Sequence, residues 1–395
     1  MNITTVNNEL GRIRVKVIGV GNAGGMMVKR IARERLPGVE CGVINTAIKD
    51  LESCPEIRAL QIGIKVTHGT GTGSEPMVGA RSAQEDADRI RDFLGSNDVV
   101  FLVAGFGKGT GTGATPVVAE LARSLGSLTV AFVTRPFDYE GTGRAQVAEE
   151  GIQELSGKTD VFVTLPNQSL MTIMPGTVAL ESAFGFMDEA ILMAIRGMVD
   201  VLMKPGRINL DLADMRSLLK NTGRTAFGVG AGKGESRMAD ALHALSSYPF
   251  LAGAGTSDVS GMLISITGGT DLGAKEVEDV VKQVRSMAGG EPRMAFAINV
   301  DESLQGEMRV MMLAAGLTEP AIEPEQDPLA GYSNDRKQAV SNPGEAMYRP
   351  DRLARHTLPA VPESSPMKEG QEKSAYLPAY MRRPGKNGGS PQGRG

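Results

Sequence analysis

The sequence predicts an α/β protein: a mostly parallel sheet flanked by helices, a long central helix, then a smaller α+β region with a mixed sheet. Three observations carry this. Between residues 12 and 170, short apolar runs alternate with helical patterns, and several of the runs open into glycine-rich turns. That alternation is the mark of strand–crossover–strand units. Residues 178–203 keep a helical pattern without an internal proline, and their apolar positions at Ala190–Ile195, Met198, Val199 and Val201–Met203 suit a helix buried between layers. Beyond residue 206, strand-like runs begin to follow one another directly, Arg293–Val300 and then Met308–Ala315, which fits a mixed sheet.

The first element, Ile13–Val20, reads as a strand. Gly21-Asn22-Ala23-Gly24-Gly25 follows, then a helical run from Met26 to Arg35. Gly19, Gly21 and Gly24 match the dinucleotide-binding glycine pattern, so an NAD-dependent oxidoreductase is one reading. Its second requirement fails. The next strand, Glu40–Ile44, ends in Asn45-Thr46-Ala47, where a ribose-binding fold needs an acid. Gly69-Thr-Gly71-Thr72-Gly73 then precedes a helix over Ala83–Leu94 and on its own reads as an ordinary turn before that helix.

The most informative stretch is Gly105-Phe-Gly107-Lys108-Gly109-Thr110-Gly111-Thr112-Gly113-Ala-Thr-Pro116. An apolar strand, Asp98–Ala104, leads into it, and a helical pattern, Thr115–Leu125, leads out. Strand, glycine loop and helix start together bind phosphate: N–H groups at a helix start lack partners, and the helix dipole favours an anion there. Glycine lets the backbone approach the ligand. Thr110 and Thr112 offer hydroxyl donors, and Pro116 suits a first helical turn. The plain alternative is a flexible surface loop.

Leu128–Thr134 and Val161–Asn167 complete the run of strands, with Arg135–Arg144 as a loop between them. Pro205-Gly206 ends the central helix, and Ile208–Met215 follows. Gly228–Gly234 looks like a phosphate loop but lacks the required spacing, so it reads as a hairpin or turn. Helices are expected at Asp240–Tyr248 and Ala274–Ala288, and a strand at Gly261–Thr267.

On these motifs the chain resembles the FtsZ family, the bacterial relatives of tubulin, through most of its length. The glycine-threonine stretch ending in Pro116 corresponds to that family's nucleotide signature, with Lys108 in place of a glycine. Asn22, Ala23 and Met26 depart from the family's first glycine loop, and Ala47 from its Asn-Thr-Asp. The resemblance implies that GTP or GDP is held by residues 21–26, by Gly71, Thr72 and Gly73, and by Gly105, Gly107 and residues 108–113. It also implies ribose and phosphate contacts from Glu140 and Arg144. Phe184 would stack on guanine and Asp188 would accept from it; core packing and a helix-dipole role are their plain alternatives. Asn209, Asp211 and Asp214 match the family's catalytic loop; an N-cap would explain one of these carboxylates alone. Head-to-tail stacking would bring this loop onto the next subunit's nucleotide, with Mg²⁺ carried by the nucleotide.

Composition sets the remaining bounds. The formal charge of −4 argues against a nucleic-acid partner, and no run is long enough to span a membrane. Cys41 and Cys54 form no metal or disulfide motif, and the three histidines are scattered, so no metal site is read. A cytoplasmic protein, concentrated at the division site, is expected. The organisation reads as a loose N-terminus (1–11), a GTP-binding domain (12–177), the central helix (178–205), an α+β domain with the catalytic loop (206–318), a linker (319–370) and a terminal peptide with a basic tail (371–395). Eleven of the 21 prolines lie beyond residue 318, hence the expectation of a disordered linker. The terminal Tyr376-Leu377-Pro378-Ala-Tyr380-Met381-Arg382-Arg383 resembles the family's adaptor-binding peptide, which implies membrane-adaptor and other division proteins as partners. Three functions compete: a polymerising GTPase of cell division, a nucleotide-binding structural or regulatory homologue with weak hydrolysis, and the NAD enzyme.

Overall fold

The computed structural model describes residues 13–173, 179–204, 206–208, 210–252, 259–288 and 290–317. The strands are β1 (Val15–Val20), β2 (Val39–Asn45), β3 (Arg58–Gln61), β4 (Val99–Gly105), β5 (Leu128–Arg135), β6 (Val161–Pro166), β7 (Gly223–Lys233), β8 (Gly261–Gly268), β9 (Arg293–Val300) and β10 (Glu307–Ala315). The helices are α1 (Gly21–Arg33), α2 (Ile48–Glu52), α3 (Ile64–Thr67), α4 (Pro76–Glu85), α5 (Ala87–Leu94), α6 (Thr110–Ser124), α7 (Thr142–Leu155), α8 (Leu170–Ile173), α9 (Leu180–Met203), α10 (Leu212–Leu219), α11 (Arg237–Ser246), α12 (Pro249–Ala252) and α13 (Ala274–Ser286).

Among the described residues these strands form one sheet, in the order β3-β2-β1-β4-β5-β6-β7-β10-β8-β9. Pairing is parallel from β3 through β7. β10 lies antiparallel between β7 and β8, and β9 runs parallel beside β8. The β6–β7 join is short, with only Val161, Phe162 and Val163 in register with Gly223, Arg224 and Thr225.

β4 explains why its sequence is apolar without alternation. Val99, Phe101 and Val103 enter the core that also takes α1 and α9. Val100, Leu102 and Ala104 enter the core beneath α5, α6 and α7. A strand buried on both faces needs apolar side chains at every position. All strand C-termini of the parallel part then point to one edge, where ligands collect in such sheets.

Several expectations shift. Gly21–Gly25 is not a loop before α1 but its first turns. The helix after the main glycine stretch starts at Thr110 rather than Thr115, which places Pro116 inside it. Proline there removes one backbone donor without displacing the helix. The helix expected over Ala83–Leu94 is two helices, α4 beginning at Pro76 and α5, which meet at Asp86; that carboxylate accepts from the Gly63 N–H (2.7 Å). Gly228–Gly234 is not a hairpin: residues 228–233 lie within β7, and Gly228, Gly230 and Gly232 line the face against α11 and α12, where a Cβ at Gly230 would overlap the Ala241 carbonyl. β3 and α7 have no counterpart in the sequence reading. Burial pushes the Cys41 thiol up to about 11, so it is a poor nucleophile. Among the described residues no helix is long and apolar enough to cross a membrane.

Candidate functional site

Three glycine segments from separate elements meet at the C-terminal edge of the parallel strands. Gly21 opens α1 with φ +74°, and a Cβ there would lie 2.9 Å from the Gly111 nitrogen. Gly24 sits against the Val103 carbonyl of β4, and Gly111 against the Gly105 carbonyl; a Cβ at either would overlap backbone. Gly109 faces the Thr72 hydroxyl, and Gly113 faces the Pro76 carbonyl at the start of α4. Thr46, after β2, shares a hydrogen bond with Thr110 (2.8 Å). The segments around residues 21, 71 and 109 therefore form one cradle, and Gly69–Gly73 is part of it as well as the approach to α4.

The cradle suits an anion. Helices α1 and α6 both begin there, and the first N–H groups of α6, at Thr110, Gly111 and Thr112, have no intrahelical acceptor. Thr112, whose hydroxyl the sequence offers as a donor between the glycines, is turned inward. Its side chain is buried, and its hydroxyl accepts from the Gly107 (3.0 Å) and Lys108 (3.2 Å) N–H groups. It holds the turn around Gly107, whose φ is +103°. Lys108 is exposed at the tip of that turn and, among the described residues, makes no ion pair. Asn22, Ala23 and Met26 are also exposed, Met26 by 51%. The departures from the family pattern thus lie on the open side of the cradle. Gly71 and Gly73 adopt positive φ, +93° and +61°, as glycine permits.

A second group stands beside α1. Phe184 and Asp188 lie one turn apart on α9, and Phe184, 39% exposed, meets the buried Phe137 ring edge-on with centroids 5.8 Å apart. Burial pushes the Asp188 carboxyl up to about 6, against the opposing pull of the nearby Arg30 guanidinium; Glu181 and Glu189 reinforce the rise. Arg30 itself donates to Glu189 (2.9 Å). The Glu140 carboxylate is already engaged, accepting from the Phe137 N–H (2.9 Å) and from Arg144. The Arg144 carbonyl lies against Gly107, 3.0 Å from where a Cβ would stand.

The acidic pair is elsewhere. Asp211 caps α10, accepting from the Asp214 N–H (2.7 Å), while the Asp214 carboxylate reaches back to the Asp211 N–H (3.5 Å). Both are exposed. Arg216, one half-turn on, donates to the Asp98 carbonyl (2.8 Å) and the Gly126 carbonyl (2.9 Å). Those carbonyls precede β4 and β5, so α10 lies at the N-terminal edge of the strands. The structure does not bring Asp211 and Asp214 to the cradle; the length of β4 separates them, seven residues or about 20 Å. Asn209, the terminal peptide Tyr376–Arg383, the N-terminal stretch and the linker lie outside the described residues.

Sequence reasoning missed Asn45 and Thr46 as site residues. The Asn45 side chain accepts from the Thr46 N–H (2.8 Å) and turns the chain into the cradle. An Asn at the end of a strand is the signal that was available.

Residues 14–175 match the Tubulin/FtsZ family, GTPase domain, and residues 223–318 match the FtsZ family, C-terminal domain. Cell division protein FtsZ of Buchnera aphidicola subsp. Schizaphis graminum is 38% identical over 77% of this chain and 79% of its own length. That of Pseudomonas aeruginosa is 38% identical over 79% of each chain. Among solved structures, an FtsZ dimer from M. jannaschii superposes with a TM-score of 0.72 at 34% identity, over 78% of this chain and 90% of that one. The dinucleotide-enzyme alternative has no support beside these. The chain belongs to the FtsZ family of tubulin-like cell-division GTPases, and its GTPase domain implies that it binds GTP or GDP.

Proposed function

We propose that the chain polymerises head to tail and hydrolyses GTP at the junction between two copies. The phosphate cradle and the acidic turn of α10 stand at opposite edges of the same sheet, which carries this reading. No side-chain motion spans about 20 Å, whereas a second copy stacked end to end brings its α10 to the first copy's cradle. That the M. jannaschii FtsZ was solved as a dimer supports self-association.

In this arrangement Asp188 accepts from the guanine ring and Phe184 covers its face. The N–H groups of α1 and α6 hold the phosphates, and Glu140 with Arg144 borders the ribose. The neighbour's Asp211 or Asp214 orients water for in-line attack on the terminal phosphoryl group. Mg²⁺ carried by the nucleotide would supply charge neutralisation on the phosphates. A head-to-tail contact does not close on itself, so it builds a filament. Loss of the terminal phosphate weakens that contact. In the cell the filament forms the cytokinetic ring on the inner face of the membrane.

Turnover per subunit should rise steeply above a threshold protein concentration. A constant value down to high dilution would place the whole site within one copy. The terminal peptide, with Leu377, Tyr380 and Met381 as an apolar face and Arg382 and Arg383 beside it, would recruit the membrane adaptor. Deleting residues 371–395 should leave GTP-driven sedimentation intact and abolish the ring; normal rings in such cells would remove the peptide's role.

A further inference from the structure

We propose that Arg216 is a positioning residue, which fixes the acidic turn of α10 against the base of the nucleotide sheet so that Asp211 and Asp214 meet the next subunit's terminal phosphate. This rests on the reading in which those carboxylates act across the junction. The two acids are tied to each other's backbone through the capping contacts, so they go where α10 goes. On its far side α10 is tied to β9, where Arg293 donates to the Ser217 hydroxyl (2.9 Å). On the nucleotide side the tie is Arg216. Its two terminal nitrogens grip two different carbonyls, Gly126 at 2.9 Å and Asp98 at 2.8 Å.

Those carbonyls are well chosen for registration. Asp98 directly precedes β4, and β4 carries the main phosphate turn at its other end. Arg216 therefore sets the acidic turn relative to the strand that defines the subunit's own phosphate position, and so fixes the repeat from one cradle to the next. Arg216 also borders a cleft of about 360 Å³ shared with Arg123, Asp160 and Lys220. The planar guanidinium reaches both carbonyls at once; a lysine ammonium is a single point charge on a flexible stem.

Arg216→Gln and Arg216→Lys, with Asp214→Ala and Arg293→Gln beside them, test this. Four quantities are measured: GTP affinity, sedimentation with a non-hydrolysable GTP analogue, thermal midpoint, and turnover per sedimented subunit. For Arg216→Gln, affinity and sedimentation should stay within about twofold while turnover per sedimented subunit falls tenfold or more, with the GTP concentration at half-saturation unchanged. Arg216→Lys should recover part of the loss. Unchanged turnover in Arg216→Gln, with turnover abolished in Asp214→Ala, overturns the role of Arg216 alone. Unchanged turnover in both overturns the reading beneath it. If Arg293→Gln lowers the midpoint as much and turnover equally, the effect is general destabilisation and the positioning role is lost. Should Arg216→Gln fail to fold, full activity in Arg216→Lys would overturn the two-carbonyl grip.

Discussion

The two edges of the sheet are built by opposite means. At the glycine edge, function lies in the backbone: Gly24, Gly109, Gly111 and Gly113 are places where another chain segment already occupies the space of a Cβ. At the α10 edge, the proposed chemistry lies in two carboxylates on an exposed helix start, whose contacts are mutual and local. Those glycines of the first edge cannot accept a side chain without moving the segments packed on them. The second can lose a carboxylate with little structural cost. On the proposed reading, placing the phosphate and placing the reactive water fall to different parts of the molecule, and mutations should separate them.

The widest separation should come from Gly24→Ala. Its methyl group would overlap the Val103 carbonyl, which belongs to a central strand and cannot yield. GTP binding should fall more than a hundredfold, or the chain should fail to fold. Gly143→Ala is the control, since nothing lies within 4 Å of that position; it should bind GTP normally and melt no lower. Equal behaviour of the two in calorimetry and nucleotide titration would break the comparison.

Asp211→Asn sharpens it from the other side. Asparagine caps a helix as well as aspartate does, so stability and GTP affinity should hold while turnover per assembled subunit drops about a hundredfold. Asp211→Ala should drop it as far and also lose about 1 kcal/mol of stability through the missing cap. Full turnover in Asp211→Asn would reduce that residue to its capping role.

Asp188 makes a smaller, pH-dependent difference. Its carboxyl is raised to about 6 in the folded chain, and only the carboxylate accepts two guanine donors. GTP affinity should fall about tenfold between pH 7 and pH 5 as that carboxylate takes up its proton. The empty protein should respond with the opposite sign. A carboxyl raised on folding contributes stability that is complete below its unfolded value of 3.8 and lost as pH rises through about 6. Isothermal titrations of GTP across pH, repeated on Asp188→Asn, decide this: an unaltered pH slope in the variant would assign the titration to another group.

The smallest effect expected is that of Lys108. Exposed at the tip of the Gly107 turn, it adds a mobile positive charge near the triphosphate. Lys108→Gly should weaken GTP and GDP binding severalfold at low salt and not at high salt. No change at low salt would mean that the ammonium faces away.

The glycine edge was legible because its chemistry is written in residue types that have few other uses there. Runs such as Gly109–Gly113 between an apolar strand and a helix announce close backbone approach. What they did not reveal is where helix begins: Thr110 already lies in α6, since glycine and threonine at a helix start leave no apolar period to mark it. The contacts by which Thr112 holds the Gly107 turn stayed hidden because its type gives no sign of burial. The acidic turn was legible only as a resemblance, since an Asp three residues before another Asp is also a common cap, and the structure shows that it caps. β3 stayed hidden because Arg58–Gln61 is short and partly exposed at the sheet edge, with no apolar run to mark it. Gly228–Gly232 was mistaken for a turn because alternate glycines in a strand look like a flexible loop until the helix packed on them is seen.

The strand order carries a consequence for how the chain comes to be made. Synthesis proceeds from the N-terminus, and β1 to β6 can close their parallel pairings from residues already present. The second part cannot. Among the described residues β10 is the last strand in sequence, yet it lies between β7 and β8. Until residues 307–315 leave the ribosome, β7 and β8 each carry an open edge, the kind that invites pairing with other chains. A premature stop before Glu307 therefore does more than shorten the protein: it leaves two strands seeking a partner, so nascent chains of this length are the ones most in need of a chaperone.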